Sequence, residues 1–197
     1  MKIFQLSVLQ VTDGNATKLS SADDLSSFSF YQRGSVGEFM TFMAKTVAER
    51  TAAGQRQSVQ ENSYTAHVYN SGQDNITAVV ITDQEYPVRP AFSLLQKLID
   101  DFVTSVPKAS WSTPSSIDFP AAKTYLAKYQ DPKNADQIMR VQAELDETKV
   151  ILHKTIEGVL QRGENLDNLV ERSNALSSQS KMFYKTAKSQ NSCCTVL

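Results

Sequence analysis

The rhythm of hydrophobic and polar positions changes several times along the chain, and each change marks an element. Lys2 to Val11 is apolar-rich and strand-like. Leu25 to Gln32 alternates with period two through Phe28 and Phe30, which predicts a second strand. From Ser35 to Arg50 the period becomes helical, with Ser35 as N-cap, Glu38 completing a capping box and Gly54 closing the segment. Tyr64, Ala66 and Val68 alternate again, and Asn75 to Thr82 is a β-branched run expected of a buried strand. After a turn region from Asp83 to Arg89, Pro90 can open a second helix with Phe92, Leu95, Ile99 and Phe102 on one face. The expected order is β-β-α-β-β, an optional further strand, then α. Val106 to Pro120 holds three prolines, four serines and a threonine and reads as a loop. Ala121 to Gln130 fits a short third helix, and Asp131-Pro132 is a second break.

Beyond that break the pattern is of another kind. No proline occurs from Asp136 to Gln190, a helix-competent stretch about 80 Å long at 1.5 Å per residue. Steps of three and four from Ile138 give Val141, Leu145, Thr148, Leu152, Thr155, Val159, Arg162, Leu166, Leu169, Ser173, Leu176, Ser180, Phe183, Ala187 and Gln190. Ten of these sixteen positions are apolar and four more are Ser or Thr. A spacing of 3.5 residues keeps them on one seam of a supercoiled helix, and a lone helix cannot bury such a seam. Arg162 sits in the middle of it. A guanidinium in a desolvated core costs several kcal/mol unless acceptors surround it. The plain alternative is a surface arginine and a shifted register. The apolar phase, however, is continuous on both sides only if Arg162 is a seam position. A central polar layer can fix register, and three side-chain amides could supply the acceptors.

Composition narrows the function. Apolar residues make up 41% and charged residues 21%, enough for a packed core. The 20 basic residues nearly cancel the 21 acidic ones, which speaks against nucleic acid as a partner. The longest aliphatic run, Ala78 to Ile81, falls far short of the roughly 20 residues that span a bilayer. Met1 leads straight into strand-like sequence with no signal segment, so a cytosolic chain is expected. The Asn-x-Thr matches at Asn15 and Asn75 are then coincidental. No phosphate loop, no nucleophile beside a base and no metal-ligand spacing is present, so neither enzyme activity nor a metal is expected. His67 and His153 read as structural or solvated. The two cysteines, Cys193 and Cys194, are adjacent. Cys194-Thr195-Val196-Leu197 has the form of a prenylation signal.

Val159-Leu160-Gln161-Arg162-Gly163-Glu164-Asn165-Leu166, with Leu169, Leu176, Phe183 and Ala187 in register, resembles the R-SNARE motif. Ser35-Val36-Gly37-Glu38-Phe39-Met40-Thr41-Phe42, Gly54-Gln55-Arg56-Gln57-Ser58 and the stretch Ile81 to Pro90 resemble a longin domain. With Cys193-Cys194 in place of a transmembrane helix, the whole chain resembles the Ykt-type prenylated R-SNAREs. The fold class implied is α+β. A longin (profilin-like) domain, its antiparallel sheet sandwiched by helices, precedes a long SNARE helix that can fold back in pieces. The expected division is a longin domain over 1–130, including the 106–120 loop, a linker over 131–137, an R-SNARE motif over 138–190 and a lipidation tail over 191–197.

The resemblance implies mechanical work without covalent catalysis. Arg162 would meet three Gln side chains from three Q-SNARE helices in a parallel four-helix bundle that draws vesicle and target membranes together. Ile138, Val141, Leu145, Leu152, Val159, Leu166, Leu169, Leu176, Phe183 and Ala187 would form apolar layers. A prenyl transferase would modify Cys194, and Cys193 would take a second lipid, palmitoyl or prenyl. The resemblance implies a farnesyl at Cys194, whereas the terminal Leu197 favours geranylgeranyl. No cofactor is expected beyond these covalent lipids. The protein would cycle between a closed cytosolic form and an open form anchored by lipid on the cytoplasmic face of endomembranes (ER–Golgi, Golgi, endosome or vacuole).

Within the first helix, Val36, Met40, Met43 and Val47 fall within about 40° of one direction, whereas Phe42 lies about 120° away. Phe42 is therefore expected to be partly exposed, and the resemblance implies that it meets the SNARE segment folded back in cis. Ser173 and Ser180, at seam positions, are candidate phosphorylation sites, because a phosphate there would enter the bundle core. Lys181, Lys185 and Lys188 could add attraction to anionic lipid. The rival reading is a longin-containing adaptor or GTPase-regulating trafficking factor with a coiled-coil tail, which would need neither Arg162 at the seam centre nor a lipid signal.

Overall fold

The computed structural model describes residues 1–131 and 149–192. Six strands form one sheet in the order β2-β1-β5-β4-β3-β6. These are β1 (Ile3–Thr12), β2 (Asn15–Asp23), β3 (Arg56–Glu61), β4 (Tyr64–Asn70), β5 (Ile76–Asp83) and β6 (Val150–His153). The first five pair antiparallel, whereas β6 joins the edge of β3 in parallel, so the sheet is mixed. Helices α1 (Arg33–Glu49), α2 (Val88–Ser105) and α3 (Ala121–Lys128) flank it, with two 3-10 turns filling the 106–120 loop. The C-terminal region then adds α4 (Leu166–Arg172) and α5 (Ser178–Ser192).

The sheet divides two cores. On one side Leu6, Val8, Ile76 and Val80 pack against Leu95, Phe102, Trp111, Leu126 and Tyr129 of α2, its following turns and α3. On the other, Leu9, Val59, Val68 and Val79 pack against Met40, Met43 and Val47 of α1. Both faces are covered, which explains why β5 reads as a β-branched run without polar alternation and is buried from Ile76 to Thr82.

Two sequence expectations are corrected here. The second strand is Asn15–Asp23, not Leu25–Gln32. On β2 only Ala16, Leu19 and Ala22 are buried, a spacing that hides the strand from a period-two reading. Residues 25–32 form turns: Phe28 reaches the core beside Phe4 at 5.7 Å, and Phe30 points to solvent. Ser35 is not the N-cap of α1. The helix begins at Arg33 after Gln32, which makes no side-chain cap, and Glu38 serves another helix. The C-terminal segment is folded back in pieces, as the resemblance allowed: residues 149–192 are a strand, a 3-10 turn and two helices, with Ile156, Leu166, Val170, Leu176 and Tyr184 buried against the N-terminal domain.

Candidate functional site

The site is the contact between the C-terminal region and α1 with the edge of β3. Along β6, Val150 to His153 lie in register with Arg56 to Val59. This pairing occupies backbone groups that an edge strand would otherwise leave bare. A 3-10 turn at Ile156–Gly158 follows, and Gly163 sits at φ +90°, where a side chain would be strained. A Cβ at Gly158 would meet His153 Nδ1 at 2.8 Å. Asn165 then caps α4, its Oδ1 accepting from the Asn168 amide at 2.8 Å. These residues let one stretch turn sharply where the heptad pattern asks for continuous helix.

Carboxylates hold the segment down. Glu38 Oε2 accepts from the Ser177 amide at 3.0 Å and from the Ser180 hydroxyl at 2.5 Å, so α1 supplies a cap to the N-terminus of α5. These bonds, the Ser180 hydroxyl first, hold the Glu38 carboxyl below its usual range. Glu61 Oε2 accepts from the Ile156 amide at 3.2 Å, yet burial pushes its pKa up. Arg50 donates to both oxygens of Glu164 at 3.1 Å, next to the Gly163 turn. Asp167 joins α4 to α5, accepting from Lys188 at 2.6 Å and from the Tyr184 hydroxyl at 2.9 Å. Lys185 pairs with Glu171, and Lys181 donates to the Glu171 carbonyl. All three lysines considered for lipid attraction are thus engaged within the protein.

The apolar contact is led by Phe39. Its ring stacks on Tyr184 with centroids 5.5 Å apart and meets Phe183 at 6.0 Å. Ile156, Leu166, Val170, Leu176 and Tyr184 are buried in the same core as α1. Phe42 is half-buried at the rim of that core, 6.5 Å from Phe39, and Val159, Leu160 and Phe183 share the rim.

The seam residues are dispersed rather than aligned. Leu166 and Leu176 are buried, whereas Val159, Leu169, Phe183 and Ala187 are half-buried. Leu152 is 68% exposed, since pairing with Ser58 turns it away from α1. Arg162 is exposed in the turn before Gly163. Ser173 is half-buried at the end of α4, and Ser180 is fully buried. Ile138, Val141, Leu145, Cys193 and Cys194 lie outside the described residues. Sequence reasoning missed Glu38, Phe39, Arg50, Ile156, Val170 and Tyr184 as contact residues. Three of these, Ile156, Val170 and Tyr184, stand off the seam. A heptad template assigns off-seam positions to solvent.

A Longin family model, a regulated-SNARE-like domain, matches residues 25–126. A Synaptobrevin family model matches residues 137–194. The chain belongs to the longin-bearing synaptobrevin family. It is 55% identical to "Synaptobrevin homolog ykt6" of Schizosaccharomyces pombe over 197 residues, covering all of both chains. It is 53% identical to the Saccharomyces cerevisiae protein "Synaptobrevin homolog YKT6" and 51% identical to that of Yarrowia lipolytica, again over the full length of both. The Ykt-type likeness read from the motifs thus extends along the entire sequence, and the protein is an R-SNARE of vesicle fusion.

This R-SNARE belongs to a class that works by assembly with other SNAREs, and the adaptor reading is not favoured. Ser58 Oγ lies 2.7 Å from His67 Nδ1, but both are buried, and burial pushes the His67 pKa down to about 4. The pair closes a core polar contact between β3 and β4. Among the described residues, no group of His, Cys, Asp and Glu is arranged to hold a metal ion, and no helix is long and apolar enough to cross a membrane.

Proposed function

We propose that the structure is the closed state of an R-SNARE whose longin domain (residues 1–130) competes with three Q-SNARE helices for the 138–190 motif. The observation that carries this is the burial of seam residues Leu166 and Leu176 against α1. One side chain cannot fill a longin core and a bundle layer at once, so the two states exclude each other. In the open state Arg162 would leave its exposed turn and meet three glutamines, with Ile138, Val141, Leu145, Leu152, Val159, Leu169, Phe183 and Ala187 forming layers beside Leu166 and Leu176. Zippering gains apolar burial along the seam. Phe42, beside Val159 and Phe183, would help decide which state wins.

Force would reach the bilayer through lipid on the tail: prenyl added to Cys194 by a prenyl transferase and a second lipid on Cys193. One prenyl chain binds reversibly, and two signals anchor stably. The protein would then exchange between cytosol and the cytoplasmic face of endomembranes along the ER–Golgi, Golgi and endosomal or vacuolar routes. No enzymatic step, cofactor or nucleic acid enters this reading. A phosphate on Ser180 would suit neither state: it would face Glu38 in the closed form and enter the seam in the open one. Ser173 is the second candidate.

The test is circular dichroism of the 131–190 segment, alone and mixed with candidate three-Gln helix sets, against the full chain. A large gain in helix for the segment, much smaller for the full chain, is expected. No gain with any set, or helix formed by the segment alone, would overturn the reading.

A further inference from the structure

Phe30 is 79% exposed and Tyr31 91%, the two most exposed large hydrophobic side chains among the described residues. Their rings meet edge to face, 5.8 Å apart. The turn that carries them is well braced. Arg33 Nε donates to the Phe28 carbonyl at 3.1 Å and its Nη2 to the Ser26 carbonyl at 3.3 Å. The Gln32 amide donates to the Ser29 carbonyl, and the Ser29 hydroxyl to Gln32 Oε1. Phe28 is the root, set against Phe4. From Leu25 to Gly37 the sequence has no acidic residue, and Arg33 is the only charge.

The position of this turn gives it a meaning. Phe28 and Gln32, on either side of the exposed pair, line a cleft of about 240 Å³ with Phe183, Thr186 and Ala187 of α5. Helix α5 ends at Ser192, about 7.5 Å further along its axis than Ala187. The two cysteines follow at once in the sequence. The aromatic turn therefore lies beside the helix that leads into the cysteine-bearing tail.

We propose that the Phe30–Tyr31 turn is a bilayer-contacting tip of the longin domain. Its two rings enter the boundary between headgroups and acyl chains when the tail is anchored. An aromatic body with a polar hydroxyl, next to a cation and in a stretch with no acidic residue from Leu25 to Gly37, has the chemistry of an interfacial anchor. The preformed turn loses little entropy on insertion. The contact would add affinity to a reversible lipid anchor and orient the longin domain on the membrane. This inference rests on the lipid-anchoring reading, so its test supplies the anchor chemically.

Cys193→Ser leaves Cys194 as the one thiol of the full chain. That thiol is coupled to a maleimide phospholipid in vesicles of phosphatidylcholine and phosphatidylserine. Tyr31→Trp reports on the tip. Buried Trp111, the only native tryptophan, sets the baseline. Expected is a blue shift of the new tryptophan and its quenching by brominated acyl chains, with Trp111 of the parent chain unquenched. Phe30→Trp provides a second reporter. In the naturally lipidated chain, Phe30→Ser with Tyr31→Ser should lower vesicle partition about tenfold at an unchanged melting temperature. Tethered reporters that stay solvent-like and unquenched would overturn the proposal. So would a blue shift already complete in the lipidated chain without vesicles, since the rings would then cover the protein's own lipid. An unmodified tail mass in protein from cells would refute natural lipidation alone and leave the tethered measurement standing.

Discussion

The carboxylate of Glu38 accepts the hydroxyl hydrogen of Ser180 at 2.5 Å, across 142 residues of sequence. One residue belongs to the longin helix α1 and the other to the SNARE motif, so the bond is specific to the closed state. Ser180 has no access to water there. Ser180→Asp would set two like charges together and is expected to open the protein. Small-angle scattering should show a larger radius of gyration, and unchanged dimensions would contradict the role given to this pair.

The same contact makes closure depend on pH. Glu38 has a lowered pKa when closed, so its contribution is complete above its ordinary value of 4.5 and is lost as pH falls through the lowered value. Asp167, lowered by Lys188 and then Tyr184, acts in the same direction, starting from 3.8, and outweighs with Glu38 the opposite pull of Glu61, whose carboxyl burial raises. Acid should therefore open the closed form, and Glu38→Gln should remove part of that dependence. Buried His67 titrates separately: it loses stability for the longin fold between its ordinary 6.5 and about 4. Hydrogen exchange, read separately over α5 and over the sheet, distinguishes the two processes.

Val170 and Arg162 separate the two states. Val170 is fully buried in the closed form yet lies off the heptad seam. Val170→Ser should cost the closed form about 2 kcal/mol while sparing the bundle. Arg162 is exposed in the closed form, so Arg162→Leu should leave the melting temperature almost unchanged and weaken assembly with Q-helices. Melting curves and helix-mixing circular dichroism on both variants check the pattern.

Gly163 should act as a hinge. At φ +90° an alanine is strained, whereas in a continuous helix alanine is favoured over glycine. Gly163→Ala is expected to shift the balance toward the open state by about 2 kcal/mol in all. Faster assembly with Q-helices is the readout, and an unchanged rate would count against the hinge.

Phe42→Glu would place a carboxylate at the rim shared with Val159, Leu160 and Phe183. Loss of compactness in scattering and greater membrane partition of the lipidated chain are expected. If neither changed, Phe42 would not help hold the closed state.

Much of this fold could be read from residue order. The β-branched run that became β5 and the one-sided helix that became α2 announce themselves, because burial on a pleated sheet and on a helix imposes periods of its own. β2 escaped because a polar edge strand buries too few side chains to show a period. Phe28 and Phe30 misled for the opposite reason: turn hydrogen bonds, not pleating, set their directions.

The sequence alone determined the R-SNARE character, because the stretch from Val159 to Leu166 and the seam around it, which resemble that family's motif, form a local pattern that needs no knowledge of its partner. It also marked the change from mixed α and β patterning to a heptad seam beyond Asp131-Pro132. Only the tertiary structure decided which partner the seam has here. Burial against α1, the cap from Glu38 and the pairing of β6 with β3 break the helix that local propensity favours, since helix strength in water comes mostly from packing an apolar face. The residues that secure this choice, among them Phe39, Val170 and Tyr184, become neighbours only once the chain has folded back.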